Sequence, residues 1–193
     1  MKFPFLKAAF ALIAAVMLSG CTHFLDMPAA RPTRQYLPTA PSKTICLKGI
    51  TDSRPMTTQY SHEYGFCRMS PHKFIIRTTT SSEELMTDLL REGFARCGYN
   101  LVTDNRVADT VSAQFTAFPG LYNVDAAWSW SLQADINCYL TMTIDGKPYS
   151  LSVSSHGKNV CQRLSEPNVS LAVTRTYDDF LSNFVSEMKG QGL

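Results

Sequence analysis

The sequence lacks the short patterns that announce most chemistries. It has no CxxC unit, so a zinc ribbon or a thioredoxin-like redox pair is not expected. It has no Gly-rich phosphate loop, and none of its many serines sits in a nucleophile elbow. The four histidines, His23, His62, His72 and His156, are scattered through polar segments and read as surface residues. No metal ligand set or cofactor is expected, and the chain reads as a non-enzyme. Long hydrophobic runs are missing too. The best, Ala8 to Leu18, is shorter than the roughly 20 residues that cross a bilayer. There is little excess charge of one sign: 18 Lys and Arg stand against 16 Asp and Glu. Lys2 and Lys7 precede the apolar run, so without that segment the two signs balance at 16 each. No basic field remains to hold a nucleic acid.

What is present begins with an address. Lys2 and Lys7, the run Ala8–Leu18 and then Leu18-Ser19-Gly20-Cys21 resemble the signal peptide and lipobox of bacterial lipoproteins. That resemblance implies cleavage after Gly20 and acylation of Cys21, which anchors the chain by its lipid. Thr22 follows in place of the aspartate that favours inner-membrane retention. The expected location is therefore the outer membrane, facing the periplasm. Residues 1–20 are read as signal, 21–42 as a tether carrying Pro28, Pro32, Pro38 and Pro41, and 43–193 as one domain.

The domain is organised around Trp128 to Ile144. Trp128, Trp130, Leu132, Ala134, Ile136, Cys138, Leu140, Met142 and Ile144 alternate with Ser129, Ser131, Gln133, Asp135, Asn137, Tyr139, Thr141 and Thr143. Side chains alternate across a strand, so one face is greasy and the other wet. Fully extended, the ribbon would run about 55 Å at about 3.3 Å per residue, longer than a domain of this size. A bend or interruption is expected in the tryptophan half. Asp145-Gly146 favours a two-residue type I′ turn, which sets Met142 opposite Tyr149, Leu140 opposite Leu151 and Cys138 opposite Val153. After Ser154 the chain reads as polar and irregular.

Earlier elements are a first strand over Thr44–Thr51, a polar connection and a second strand over Lys73–Thr80. Ser81-Ser82-Glu83-Glu84 is a capping box opening a helix with Leu85, Met86, Leu89, Leu90, Phe94 and Cys97 on one face, stopped at Gly98. Short strands over Tyr99–Thr103 and Val111–Ala117 precede the hairpin. Pro167 suits the first turn of a last helix, whose Val169, Ala172, Val173, Thr176, Phe180, Leu181, Phe184, Val185 and Met188 recur at three and four residues. The expected class is α+β in two layers: a mostly antiparallel sheet with a long central hairpin, and two helices on its greasy face.

Taken together, the lipobox, the Pro-rich tether, Asp52-Ser53-Arg54 at the end of a strand, and Arg96-Cys97-Gly98-Tyr99 leading from helix to strand resemble the YajG-type family of enterobacterial lipoproteins. Ala134-Asp135-Ile136 and the final helix fit the same plan, and TraT-type envelope lipoproteins share the helix–Gly–Tyr–strand step. The resemblance implies location and fold and carries no catalytic signature.

Among the cysteines other than Cys21, the hairpin register puts Cys161 opposite position 130, too far along the strand to reach Cys138. Cys46–Cys67 is the preferred disulfide, on the expectation that the first two strands are neighbours. Trp128 and Trp130 either complete the core or overhang the helices and reach a partner. With Tyr139 and Thr141 on the wet face, they form the expected partner-binding set. The expected role is an assembly, pilot or stabilising component of an envelope machine such as a secretion or conjugation system, held to the outer membrane by lipid and docking protein partners. A free sheet edge could accept a partner strand. The alternative is a lipid- or glycan-binding module.

Overall fold

The computed structural model describes residues 22–27, 43–54, 63–68, 73–78, 81–117, 122–123, 130–162 and 165–193. The expected signal, Cys21, most of the expected tether and Trp128 lie outside them. The strands are β1 (Thr22–Met27), β2 (Lys43–Asp52), β3 (Glu63–Arg68), β4 (Lys73–Thr78), β5 (Tyr99–Val102), β6 (Thr110–Ala117), β7 (Tyr122–Asn123), β8 (Trp130–Ile144) and β9 (Lys147–Cys161). The helices are α1 (Ser82–Arg96) and α2 (Glu166–Gly190).

The class is α+β, with a mixed main sheet. Its order is β5-β2-β6-β8, with β7 continuing beside β8 beyond β6 and β9 on the other side of β8. β2 runs parallel to both β5 and β6, so the mostly antiparallel sheet expected from the hairpin is corrected to a mixed one. Antiparallel pairing begins at β6–β8 and continues through β8–β9. A second, three-stranded sheet has the order β1-β4-β3. β4, the strand expected second in the main sheet, belongs to this one, and its neighbour β3 replaces part of the expected loop. β1 stands at the head of the segment read as a tether.

The hairpin follows from its turn. Asp145 and Gly146 adopt φ of 51° and 73°, the left-handed pair that a type I′ turn requires. Met142 then faces Tyr149, Leu140 faces Leu151 and Cys138 faces Val153. β8 is a continuous 15-residue strand, about 50 Å long at about 3.3 Å per residue. The irregularities of the main sheet sit in its neighbour β6, between Phe115 and Ala117, and one strand further out in β2, between Leu47 and Gly49, and not in β8 itself.

β9 also has 15 residues and continues well past Ser154. Its inner face changes character there, from Leu151 and Val153 to Ser155, Gly157 and Asn159, all buried. The helix above explains the change. α2 comes so close that a Cβ at Gly157 would lie 2.5 Å from the Thr176 backbone nitrogen. Asn159 Nδ2 donates to the Asn168 carbonyl at 2.9 Å. Polar and small residues here are a contact with a helix, which is why the stretch looks irregular by hydrophobicity.

Both bonds of the α1 capping box form: Glu84 N–H donates to Ser81 Oγ, and Ser81 N–H to Glu84 Oε2. Ser165 is the N-cap of α2, with proline in the first turn. The helices meet where Gly93 accommodates the Phe184 ring, and Phe94 and Phe184 stack edge-on at 5.0 Å. One core joins them to the even-numbered side chains of β8 from Leu132 to Ile144 and to β6, β9, Ile45 and Leu101.

Candidate docking surface

With both helices on the even-numbered side, the opposite face of β6, β8 and β9 is open. Ser112 and Gln114 of β6, Asn137, Tyr139, Thr141 and Thr143 of β8, and Ser150, Ser152 and Ser154 of β9 are all exposed. The register stacks them in rows across the sheet. Gln114, Tyr139 and Ser152 form one row, and Ser112, Thr141 and Ser150 the next. None of these nine residues carries a charge; Asp135 and Lys158 follow on the same face only toward its far end. Exposed sheet faces ordinarily carry Lys and Glu, and depletion of charge is what distinguishes the centre of an interface from ordinary surface. Tyr139, 46% exposed, is the large aromatic at its middle.

Pairs of ionisable side chains mark the ends. At the turn, Lys43 Nζ lies 3.1 Å from Asp145 Oδ2. At the other end, His156 Nδ1 lies 2.6 Å from Asp135 Oδ1 across β8 and β9. Sequence reading passed over this pair. The hairpin register already aligned 135 with 156, but ending the strand at Ser154 hid it.

The expected partner-binding residues do not form one site. Tyr139 and Thr141 sit together at the centre of the open face. Trp130 opens β8 opposite Cys161, nine residues and about 30 Å up the strand. Trp128 lies outside the described residues. Around Ser131 the nominally wet side is itself buried, so the open face ends before the tryptophan end of the strand.

The Cys46–Cys67 expectation fails on its premise. The neighbours of β2 are β5 and β6, whereas β3, which carries Cys67, pairs with β4 in the other sheet. Cys46 is a buried free thiol, 3.9 Å from Asn105 Oδ1. Cys97 and Cys138 are also free thiols. Burial pushes the Cys138 thiol up to about 12 and the Cys97 thiol up to about 11, the latter partly opposed by Lys189. Both are therefore held as unreactive thiols. In native protein at pH 8, iodoacetamide should label them far more slowly than in urea. A thiol whose folded value is raised contributes stability below its unfolded value, near 9, and loses it as the pH climbs. Urea midpoints should therefore fall between pH 9 and about 12, and Cys138→Ala should remove part of that fall.

Asp52 and Arg54 form a buried clamp. Arg54, 4% exposed, places Nε 2.9 Å from Asp52 Oδ1 and Nη2 3.1 Å from Ser82 Oγ, with its guanidinium 5.3 Å from the Phe115 ring centre. It ties the end of β2 to the start of α1 and to the underside of β6. The ion pair within Asp52-Ser53-Arg54 thus serves packing.

No family model and no curated protein matches the chain. Solved structures do. Protein XCC0632 from Xanthomonas campestris, of the DUF330 family, matches with a TM-score of 0.55 over 90% of this chain and 98% of its own, at 10% identity. The chain shares its fold with XCC0632. An uncharacterized protein matches similarly, with a TM-score of 0.51 over 88% of this chain and 99% of its own, at 8% identity. The likeness to XCC0632 spans nearly all of both chains, so the mixed sheet with its two helices is a recurring arrangement. At such identity it carries the fold and no residue's role.

Proposed function

We propose that this chain is a non-enzymatic lipoprotein of the outer membrane, anchored through acylated Cys21 and facing the periplasm, where it serves as an assembly or stabilising component of an envelope complex such as a secretion or conjugation system. The YajG-type resemblance is part of this proposal. The observation that carries it is the uncharged open face centred on Tyr139 and Thr141, rigidly held on three strands and backed by the core. Such a face loses little by desolvation, because no charge has to leave water when a partner covers it. The alternative, a glycan-binding module, draws on the same face, since hydroxyls around an exposed tyrosine ring also suit a neutral sugar.

Two measurements test this. Cys21→Ser should leave a precursor uncut at Gly20 that takes up no labelled fatty acid; normal labelling sinks the anchor. Tagged full-length chain purified from detergent-solubilised membranes should bring a stoichiometric protein that Thr141→Asp releases. A bound glycan with no protein partner would replace the assembly role by the alternative.

A further inference from the structure

β9 is an outer strand of the main sheet: it pairs with β8, and no other described strand pairs with it. Its backbone groups alternate between those bonded to β8 and those turned outward. Three outward groups at one end are taken by α2. Arg175 Nη1 donates to the Lys158 carbonyl, His156 N–H donates to Asp179 Oδ2, and Asn183 Nδ2 donates to the Ser154 carbonyl, at 2.6, 3.0 and 2.9 Å. Arg175, Asp179 and Asn183 recur every four residues, a spacing whose rise matches two residues of strand. The helix thus stands in for a neighbouring strand over 154–158. At the other end, Pro148 has no N–H to offer.

Even-numbered residues therefore face outward, and the window between the two ends is short. It holds the Pro148 carbonyl, both groups of Ser150, both groups of Ser152 and the Ser154 N–H. Residues 148–154 carry no charge, although charged side chains are the usual protection of an exposed edge. The side chains of α2 bond β9 only over 154–158, and Ser150 and Ser152 are exposed.

We infer that this window pairs with itself: two copies of the chain join their main sheets antiparallel at β9, across a two-fold axis at Leu151, with Ser150 of each copy opposite Ser152 of the other. This register makes four hydrogen bonds between the serine pairs. It then sets Pro148 opposite Ser154. The donor that Pro148 lacks meets the carbonyl that Asn183 already occupies, and the remaining Ser154 N–H donates to the Pro148 carbonyl. All outward groups of the window are satisfied, in six bonds. Shifting so that Ser150 meets Ser150 leaves the Ser154 N–H unused and puts Pro148 against the Ser152 carbonyl, which then has no donor. Shifting the other way puts Pro148 against His156, whose N–H Asp179 holds. A closed two-fold contact also ends the edge, where an open one would template further strands. The inference does not depend on the lipid anchor or on the open face.

Opposed residues in such a pair have Cα atoms about 5.5 Å apart, within disulfide range. Full-length Ser150→Cys and Ser152→Cys chains are purified separately in detergent, mixed, and oxidised. The mixture should give a disulfide-linked dimer whose linking peptide joins positions 150 and 152. Each variant alone has the same native thiols and should give none. A Ser150→Cys dimer in isolation, or no excess of dimer in the mixture, overturns the assignment. Ser152→Pro removes an outward N–H that β8 does not use, so circular dichroism should be unchanged. It deletes two of the six bonds, and sedimentation equilibrium should show self-association weakened about thirty-fold. Unweakened association of a folded Ser152→Pro chain would equally overturn it.

Discussion

Leu140→Asp should unfold the domain, and Thr141→Asp, one residue along, should leave it folded. Leu140 is fully buried, between Ala113 of β6 and Leu151 of β9 in the register, and both of those are buried as well. A carboxylate there has no donor and no water. It costs several kcal/mol or takes up a proton. A domain of this size is stable by only about 5–15 kcal/mol, so most of that is consumed. Thr141 is exposed in the uncharged rows, and an aspartate there costs well under 1 kcal/mol. Urea unfolding followed by circular dichroism separates the two. Wild-type stability of Leu140→Asp combined with unfolding of Thr141→Asp would mean that the two faces are reversed. Loss of folding in both would mean that the open face is covered. A folded Thr141→Asp that no longer holds its partner in the membrane pull-down assigns the rows around Tyr139 to docking.

That contrast could be written from the sequence because period-two patterning and an Asp-Gly turn are local signals. They settle which residues share a face and which pair across the hairpin without reference to the rest of the chain. The capping box at Ser81 and the proline in the first turn of α2 are local in the same way. The neighbours of β2 are not. Its parallel pairing with β5 and β6 has no turn to announce it, since parallel strands are joined by long crossovers, here through β3, β4 and α1. Six of the nine described strands are therefore legible, β1, β3 and β7 are not, and the order is not, so the Cys46–Cys67 bridge failed with the order. The site was legible to the same extent. Parity placed Tyr139 and Thr141 on the open face. Arg175, Asp179 and Asn183 read only as the polar side of a helix, because nothing in the sequence says that a strand edge lies beneath them.

Gly157 is the position where that helix leaves its sharpest trace in the strand, and Gly157→Ala should cost about 3 kcal/mol. Gly157 lies opposite Ala134 in β8, directly under α2. Thr176 Oγ1 sits 3.0 Å from both the Ala134 and the Ala172 carbonyls, so its hydroxyl bonds the helix to the central strand across the space a side chain would fill. A methyl group there runs into Thr176 Oγ1, the Ala172 carbonyl and the Thr176 backbone nitrogen. Two of these are backbone atoms and cannot rotate away, so α2 must retreat by about 1 Å, loosening close-packed contacts along the strand. Two substitutions serve as controls. Gly49→Ala, where a Cβ meets nothing within 4 Å, should be nearly neutral. Ser155→Ala, two residues from Gly157 on the same inner face, removes a buried hydroxyl that has no hydrogen-bond partner among the described residues, and should leave stability unchanged or raise it. Thermal and urea unfolding of the three variants read the difference directly. A Gly157→Ala protein within 1 kcal/mol of the wild type would show that α2 is free to lift from β9. The side chains of Arg175, Asp179 and Asn183 would then not be what holds the 154–158 edge closed.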